Sequence, residues 1–290
     1  METDGRELPG QDASGDNRVS GDRQDASSIG SPDPDALQQA IASADICAIL
    51  STAFSYPDDL FAQALLDGSF DEDLQACLGE LGFVLPAVDT ALNVQMTLAP
   101  SADRGIVCNM LRKEYSRLFL MPGRSTLIFP YEAAFCHVAE GREGMPMLFI
   151  APATKDVERR MRAFKVLPKS ARREPVDSVS CELDFLRFLY TGFANALNQN
   201  DTQDLEVWQS EIADFRSNHV DTWIPAFMKR TLKETDCPTY RTLAEAALAA
   251  LTATATATLR ATATATAALA PSVGIPVATT ISATTVKGVE

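Results

Sequence analysis

Apolar residues recur at helical spacing through the middle of the chain, and this pattern constrains the fold more than any other feature. Residues 178–198 place their large apolar side chains on one helical stripe, and 103–119 and 202–217 repeat the pattern. The run "MPMLFIAP" (145–152) has the composition of a strand, but a single strand has no partner. The sequence therefore predicts an all-α fold, a single helical-bundle domain over residues 34–251.

Proline and capping signals predict where the helices begin and end. Asp33 followed by Pro34 is typical of an N-cap and a first helical position, and Tyr56-Pro57 ends that helix. Its second half, "ICAILSTAF", is apolar on most sides, which indicates a buried helix. Further helices are predicted over 58–67, 71–81, 86–98, 155–165, 219–234 and 240–251.

Both ends of the chain differ in composition from the middle. Residues 1–33 are rich in Gly, Ser, Asp and Arg, which predicts a disordered acidic arm because little apolar surface can be buried. Residues 252–290 form a Thr/Ala-rich tail of low complexity, predicted to be poorly ordered. A helical continuation from Leu251 into the first part of this tail is the alternative.

The net charge of −14 restricts the partners of the chain. An acidic protein repels nucleic acid and anionic lipid and suits a cationic partner, such as an arginine-bearing peptide. The N-terminus has no apolar stretch of the secretory type, and no run reaches the ~18 apolar residues of a membrane span. We therefore expect a cytoplasmic protein without membrane insertion.

Residues with catalytic or metal-binding chemistry are few. The six cysteines lie far apart without a CxxC pair, which favours free thiols over a zinc site or a redox motif. The two histidines belong to no recognisable catalytic motif. The sequence thus names no catalytic residue, no metal ligand and no cofactor, and we expect a protein that is not an enzyme.

Three segments combine aromatic residues and prolines with isolated charges, namely 114–135, 174–189 and 219–230. Such residues can build an apolar groove with carboxylates at its edge. The candidate peptide-binding residues in these segments are Tyr115, Phe119, Pro130, Tyr131, Glu132, Phe135, Glu174, Asp177, Ser178, His219 and Trp223.

With these residues in view, the chain resembles the TorD/DmsD/NarJ family of cytoplasmic redox-enzyme maturation chaperones. The resemblance covers roughly 40–235 and rests on four motifs in order. These are Y-x-x-L-F at Tyr115, P-Y-E at Pro130, E-P-x-D at Glu174 and H-x-x-x-W-x-P-x-F at His219. Ser178 stands where the family pattern has a histidine, so any role of that imidazole is absent here.

The resemblance implies a chaperone that binds the twin-arginine leader and apo form of a molybdopterin-containing oxidoreductase. The client would be of the DMSO-reductase or nitrate-reductase type, and the chaperone would assist cofactor insertion and delay export. We expect the loops after Phe119 and before Val179 to converge into the groove. Weak contact with GTP or molybdopterin, and a monomer or a helix-exchanged dimer, are left open by the resemblance.

Each candidate residue also has a structural interpretation. Asp177 could be the N-cap of helix 178–198, and Glu174 a solvated surface charge. Tyr115 and Phe119 lie at core spacing, and His219 with Trp223 suits a histidine packed in an aromatic core. Two other functions stay open, a helical assembly adaptor without leader recognition and a small-molecule or nucleotide enzyme that uses the same pocket.

Overall fold

The computed structural model describes residues 34–83, 94–121 and 126–269, and these residues form a helical bundle. Within these ranges the only β-type pairing is an isolated antiparallel bridge between Tyr131 and Ser178. The predicted all-α fold is confirmed. The predicted arm, residues 86–93 of the predicted helix 86–98 and the last part of the tail lie outside the described residues.

The helices are named here in chain order. They are α1 (Pro34–Ala53), α2 (Asp59–Asp67), α3 (Ser69–Glu80), α4 (Arg104–Tyr115), α5 (Glu132–Ala139), α6 (Pro152–Ala163), α7 (Val179–Gln199), α8 (Thr202–Phe215), α9 (Asp221–Glu234) and α10 (Pro238–Leu269). Single π-helical turns extend α4 (Ser116–Leu120) and join α8 to α9 (Arg216–Val220), while short 3₁₀ turns occur at Gln95–Thr97 and Lys169–Arg172.

The core of the bundle forms where α1 packs along α7. Ile46 and Leu50 of α1, and Leu183 and Leu186 of α7, are buried almost completely. By length and composition α1 is apolar enough to cross a membrane, with a mean hydropathy of 1.2, but half of that window is buried inside the bundle. Its apolar character therefore serves packing, as the sequence predicted.

A short turn joins α7 to α8 and folds them into a hairpin. Asn200 adopts the left-handed conformation that ends α7, and the Asp201 carboxylate caps α8 by accepting hydrogen bonds from Gln203 and Asp204. Gly192 lets the two helices approach closely, because a Cβ there would lie 2.6 Å from ring atoms of Trp208.

Buried Arg216 fixes the π-helical turn between α8 and α9 against α10. Its guanidinium forms an ion pair with Asp221 at 2.8 Å and donates to the Leu251 carbonyl (3.0 Å) and the Thr254 hydroxyl (2.9 Å). Leu251 and Thr254 lie at the start of the tail that the sequence predicted to be poorly ordered. α10 instead continues to Leu269, which was the alternative prediction, and Ala253, Thr254 and Ala257 are buried.

The run 145–152 forms no strand, as its lack of a partner strand predicted. Residues 148–151 are bends, and Pro152 begins α6. The predicted helix 103–119 divides into α4 and its π-helical turn. The cysteines are free thiols, as predicted, and three of the six are buried.

We expect Gly192→Ala to destabilise the protein, although alanine normally favours a helix over glycine by about 1 kcal/mol. The added methyl would collide with Trp208, so we expect a loss of about 1–3 kcal/mol in the free energy of unfolding, measured by urea denaturation. Gly79→Ala in α3 is the matched control, because nothing lies within 4 Å of its Cβ position. It should be neutral or stabilising, and equal losses in both variants would contradict the packing argument.

Candidate functional site

Two loops that are distant in sequence meet at the bridge between Tyr131 and Ser178. The Glu132 amide donates to the Asp177 carbonyl at 2.8 Å, and the Val179 amide donates to the Pro130 carbonyl at 3.0 Å. The P-Y-E segment and the segment that begins α7 are therefore paired through their backbones. The expected convergence of these two loops is confirmed.

Asp177 caps a helix to which it does not belong. Its side chain is fully buried, and Oδ2 accepts hydrogen bonds from the Ala133 amide at 3.0 Å and the Thr154 hydroxyl at 2.9 Å. Ala133 lies in the first turn of α5, and Tyr131, the residue before that helix, supplies no side-chain cap. Asp177 thus supplies, from the neighbouring loop, the hydrogen-bond acceptor that a backbone amide at the start of α5 needs.

The predicted N-cap role of Asp177 in its own helix is wrong by one residue. Ser178 caps α7, with its hydroxyl accepting from the Cys181 amide at 3.2 Å. A serine hydroxyl at this position can accept from a free amide, which explains why the chain tolerates it there. Where the family pattern has a histidine, this chain therefore has a helix cap.

A buried cluster of carboxylates surrounds His219 behind the paired loops. His219 Nδ1 lies 2.7 Å from Glu132 Oε2, and Nε2 lies 3.0 Å from Asp156 Oδ2. The Trp223 indole donates to Glu182 Oε2 at 2.8 Å. Glu132, Glu182, His219 and Trp223 are all buried. His219 is thus the satisfied core histidine that one interpretation of the sequence proposed.

Burial and neighbouring charges shift the pKa values of three groups at this site. Burial and the Glu132 carboxylate raise the pKa of Glu182 well above its usual range, which favours its protonated form. Burial alone would lower the pKa of His219, but its bonds to Glu132 and Asp156 outweigh that effect and raise it. Burial likewise raises the pKa of Asp177.

Glu132, Glu182 and His219 are also the residues that could hold a metal ion, since their ligand atoms lie within 4.8 Å of one another. Both imidazole nitrogens already lie within hydrogen-bond distance of a carboxylate, Glu132 for Nδ1 and Asp156 for Nε2. These bonds account for the position of the imidazole, and we assign no ion to the cluster.

A polar cavity opens beside the paired loops. It has a volume of about 230 Å³, and two carboxylates, Glu174 and Asp184, lie on its wall. The remaining lining residues are five serines with Pro168, Pro175, Val176 and Cys181; the serines are Ser51, Ser55, Ser170, Ser178 and Ser180. Glu174 is exposed, and no ion pair of its carboxylate occurs in the described part of the chain.

Most of the predicted aromatic residues lie in the core and do not line an open groove. Phe119 stacks on Phe227, Tyr115 packs edge-on against Phe119, and Trp223 is completely buried. Phe135 is half-buried against Trp223. The expectation of an exposed groove made by these aromatics is corrected here, because the bundle uses them as packing.

The predicted site residues therefore divide into two groups. Glu132, Asp177, His219 and Trp223 form the buried support together with Pro130, whereas Glu174, Ser178 and half-buried Tyr131 are at or near the cavity. Sequence analysis missed the cavity residues Ser51 and Ser55. Ser51 lies near the C-terminal end of α1 and Ser55 lies beyond that end, and only the fold brings both to the cavity.

Sequence analysis also gave no role to Asp156, Thr154 or Glu182. Asp156 and Thr154 belong to a helix that looked merely charged, and only the fold places them beside His219 and Asp177. Glu182 lies in the first turn of α7, where an acidic residue is common in helices and does not by itself indicate a site.

We expect the stability of the protein to fall as pH rises above about 6.5, the unfolded pKa of histidine. Because the folded pKa of His219 is raised, its contribution is complete below that pH and is lost as pH passes the folded pKa. Glu182 and Asp177, whose pKa values are also raised, act in the same direction.

The measurement is urea denaturation of the wild type and of His219→Gln at several pH values from 6 to 9. The variant should be less stable at pH 6 and should lose less stability than the wild type across the range, because it lacks the titrating imidazole. His137→Gln is the matched control, since His137 Nε2 makes no hydrogen bond. Parallel curves for wild type and His219→Gln would contradict the assignment.

We expect the hydrogen-bond acceptor of Asp177 to contribute more to the free energy of unfolding than its negative charge does. Asp177→Asn keeps an acceptor for the Ala133 amide, whereas Asp177→Ala leaves that amide without its partner; the Thr154 hydroxyl keeps the Leu148 carbonyl as an acceptor at 2.8 Å. We expect the alanine variant to lose about 2 kcal/mol more than the asparagine variant in urea denaturation. Equal losses would show that the carboxylate charge, not the cap, holds the loops together.

Comparison with known families gives one match. A family model described as "Nitrate reductase delta subunit" matches residues 70–229, more than half of the 290-residue chain. The matched range contains the paired loops, the buried cluster and every candidate binding residue that the sequence predicted. Searches of curated proteins and of solved structures give no match.

Proposed function

Because the chain belongs to the nitrate reductase delta subunit family, we propose that it binds the leader peptide of a nitrate-reductase-type molybdoenzyme. Members of this family are cytoplasmic redox-enzyme maturation chaperones and are not enzymes. In our proposal the protein holds the apo form of its client, assists molybdopterin insertion and delays export until the cofactor is loaded. The family match supports the client class.

The polar cavity is the place where we expect an arginine of the leader to bind, and this cavity carries the proposal. A guanidinium group has five N–H donors and one positive charge. The cavity offers two carboxylates and several serine oxygens in about 230 Å³. Charge-assisted bonds from arginine to carboxylate are among the strongest hydrogen bonds in proteins, so Glu174, which lacks an ion pair among the described residues, is a suitable acceptor.

The apolar part of a leader would lie over the aromatic residues beside the cavity. Tyr56 is 53% exposed and packs edge-on against Tyr115. Burial raises the pKa of both Tyr115 and Tyr131, and the nearby Glu174 carboxylate raises both further. The carboxylate that would bind an arginine therefore lies next to an apolar aromatic surface. A twin-arginine leader requires both of these features in its binding site.

The size of the cavity disfavours the rival enzyme function. Sites for small molecules usually enclose ~300–1,000 Å³ and are mainly apolar. This cavity is smaller and lined by polar side chains. It suits one side chain of a peptide better than a whole nucleotide or a molybdopterin.

Calorimetry with a synthetic twin-arginine leader peptide tests the proposal. We expect Glu174→Gln combined with Asp184→Asn to weaken binding about tenfold, because each loses a charge-assisted hydrogen bond. Glu206→Gln with Asp214→Asn is the matched control, since it removes the same charge from exposed positions on α8 and should leave affinity unchanged.

The same peptide with both arginines changed to alanine separates the rival functions. We expect it to bind at least tenfold more weakly to the wild type. An assembly adaptor would bind both peptides equally or neither, which would refute leader recognition. Turnover of a nucleoside triphosphate above background would instead favour the enzyme.

A further inference from the structure

A second groove lies between α1, α2 and α3, on a different face of α1 from the polar cavity. It consists of two adjoining cavities of about 400 and 480 Å³ that share Ala48, Ile49 and Asp73. None of its lining residues belongs to the polar cavity. Helices α1 and α2 precede residue 70, where the family match begins, so the family match does not imply this groove.

The walls of the groove are two helical faces with the same pattern. Asp45, Ala48, Ile49 and Thr52 follow one another at i, i+3, i+4 and i+7 on α1. On α3 the corresponding residues are Asp73, Ala76, Cys77 and Glu80. Each face therefore carries apolar side chains in its middle. The carboxylates lie at the ends, Asp45 on α1 and Asp73 and Glu80 on α3.

An apolar floor continues from these faces onto α2. Ile49 and Ala64 are partly buried there, and the side chain of Leu60 is 80% exposed. The rings of Phe61 and Phe70 lie buried beneath them. A partner that covers the floor would remove the exposed apolar side chain of Leu60 from water, which is favourable. The floor therefore suits an apolar partner surface.

Among the residues that the structure describes, no cation forms an ion pair with the acidic rim. Asp45, Asp73 and Glu80 take part in no ion pair within the residues that the structure describes. Burial raises the pKa of Asp45, and repulsion from Glu80 and Asp73 raises it further. The three carboxylates are thus close enough to repel one another.

We propose that this acidic groove docks an amphipathic helix of a partner protein, with an apolar stripe flanked by lysines or arginines. The stripe would cover the apolar floor, and the cations would neutralise the rim. From Asp45 to Thr52 the wall measures about 10 Å, enough for two turns of a helix. This site goes beyond the proposed leader pocket and does not depend on it.

The charge of the chain excludes its own segments as the occupant. Residues 1–35 contain nine acids and three arginines, and a second copy of the chain carries a net charge of −14. Both would be repelled by the rim. The last 21 residues hold one lysine and one glutamate, and so they offer no basic stripe.

Fluorescence anisotropy tests the proposal with a labelled amphipathic helix of about 14 residues, roughly four turns, with leucines on one face and lysines beside them. We expect Asp45→Asn/Asp73→Asn/Glu80→Gln to weaken binding at least tenfold. Glu143→Gln/Glu206→Gln/Asp214→Asn removes the same charge from exposed positions elsewhere and should change affinity less than twofold. If both triple variants weakened peptide binding equally, the loss would come from the net charge of the protein and not from the groove, and the proposal would be overturned.

Two further arms test the groove itself. A scrambled peptide of the same composition should bind at least tenfold more weakly, and equal binding would overturn the proposal. Leu60→Ser removes the exposed apolar side chain without disturbing the core, and we expect about fivefold weaker binding. The groove variants should still bind the twin-arginine peptide with wild-type affinity. A failure of the groove proposal can therefore be distinguished from a failure of the leader-binding proposal.

Discussion

The pairing of the Pro130–Glu132 segment with the Asp177–Val179 segment is the constraint on which the rest of the structure depends. Two backbone hydrogen bonds close the pair, and Asp177 then caps α5 from the opposite loop. Because the start of a helix leaves amides without partners, a buried cap is costly to remove. The same contact fixes where α7 begins, and so places Ser178 and Glu174 at the polar cavity.

A second consequence of this pairing is the burial of several acids at one point. Burial and the neighbouring Glu132 carboxylate raise the pKa of Glu182, and His219 bonds Glu132 directly. Removing one partner of such a buried set leaves the other groups without their bonds, which is costly. Here the bonds of His219 and Trp223 connect α5 and α7 to α9 and to the turn before it.

The limits of sequence reasoning are visible in particular residues. Period-3.6 stripes predicted α7 and α8 to within about two residues, because apolar periodicity is a local signal. The motif residues were found, but Tyr115, Phe119 and Trp223 proved to be core and not surface. Alanine and threonine gave no apolar stripe in residues 252–269, so the continuation of α10 became evident only where Arg216 and Tyr190 contact it.

The sequence by itself determined the helical class, the acidic surface, the free cysteines and the family, because each of these depends on composition or on motifs a few residues long. Only the tertiary structure decided that Asp177 caps a distant helix, that His219 is enclosed by carboxylates from three helices, and that two acidic sites lie on neighbouring faces of α1. The physical reason is that burial and hydrogen-bond partners depend on contacts between residues tens of positions apart, and local patterns do not specify those contacts.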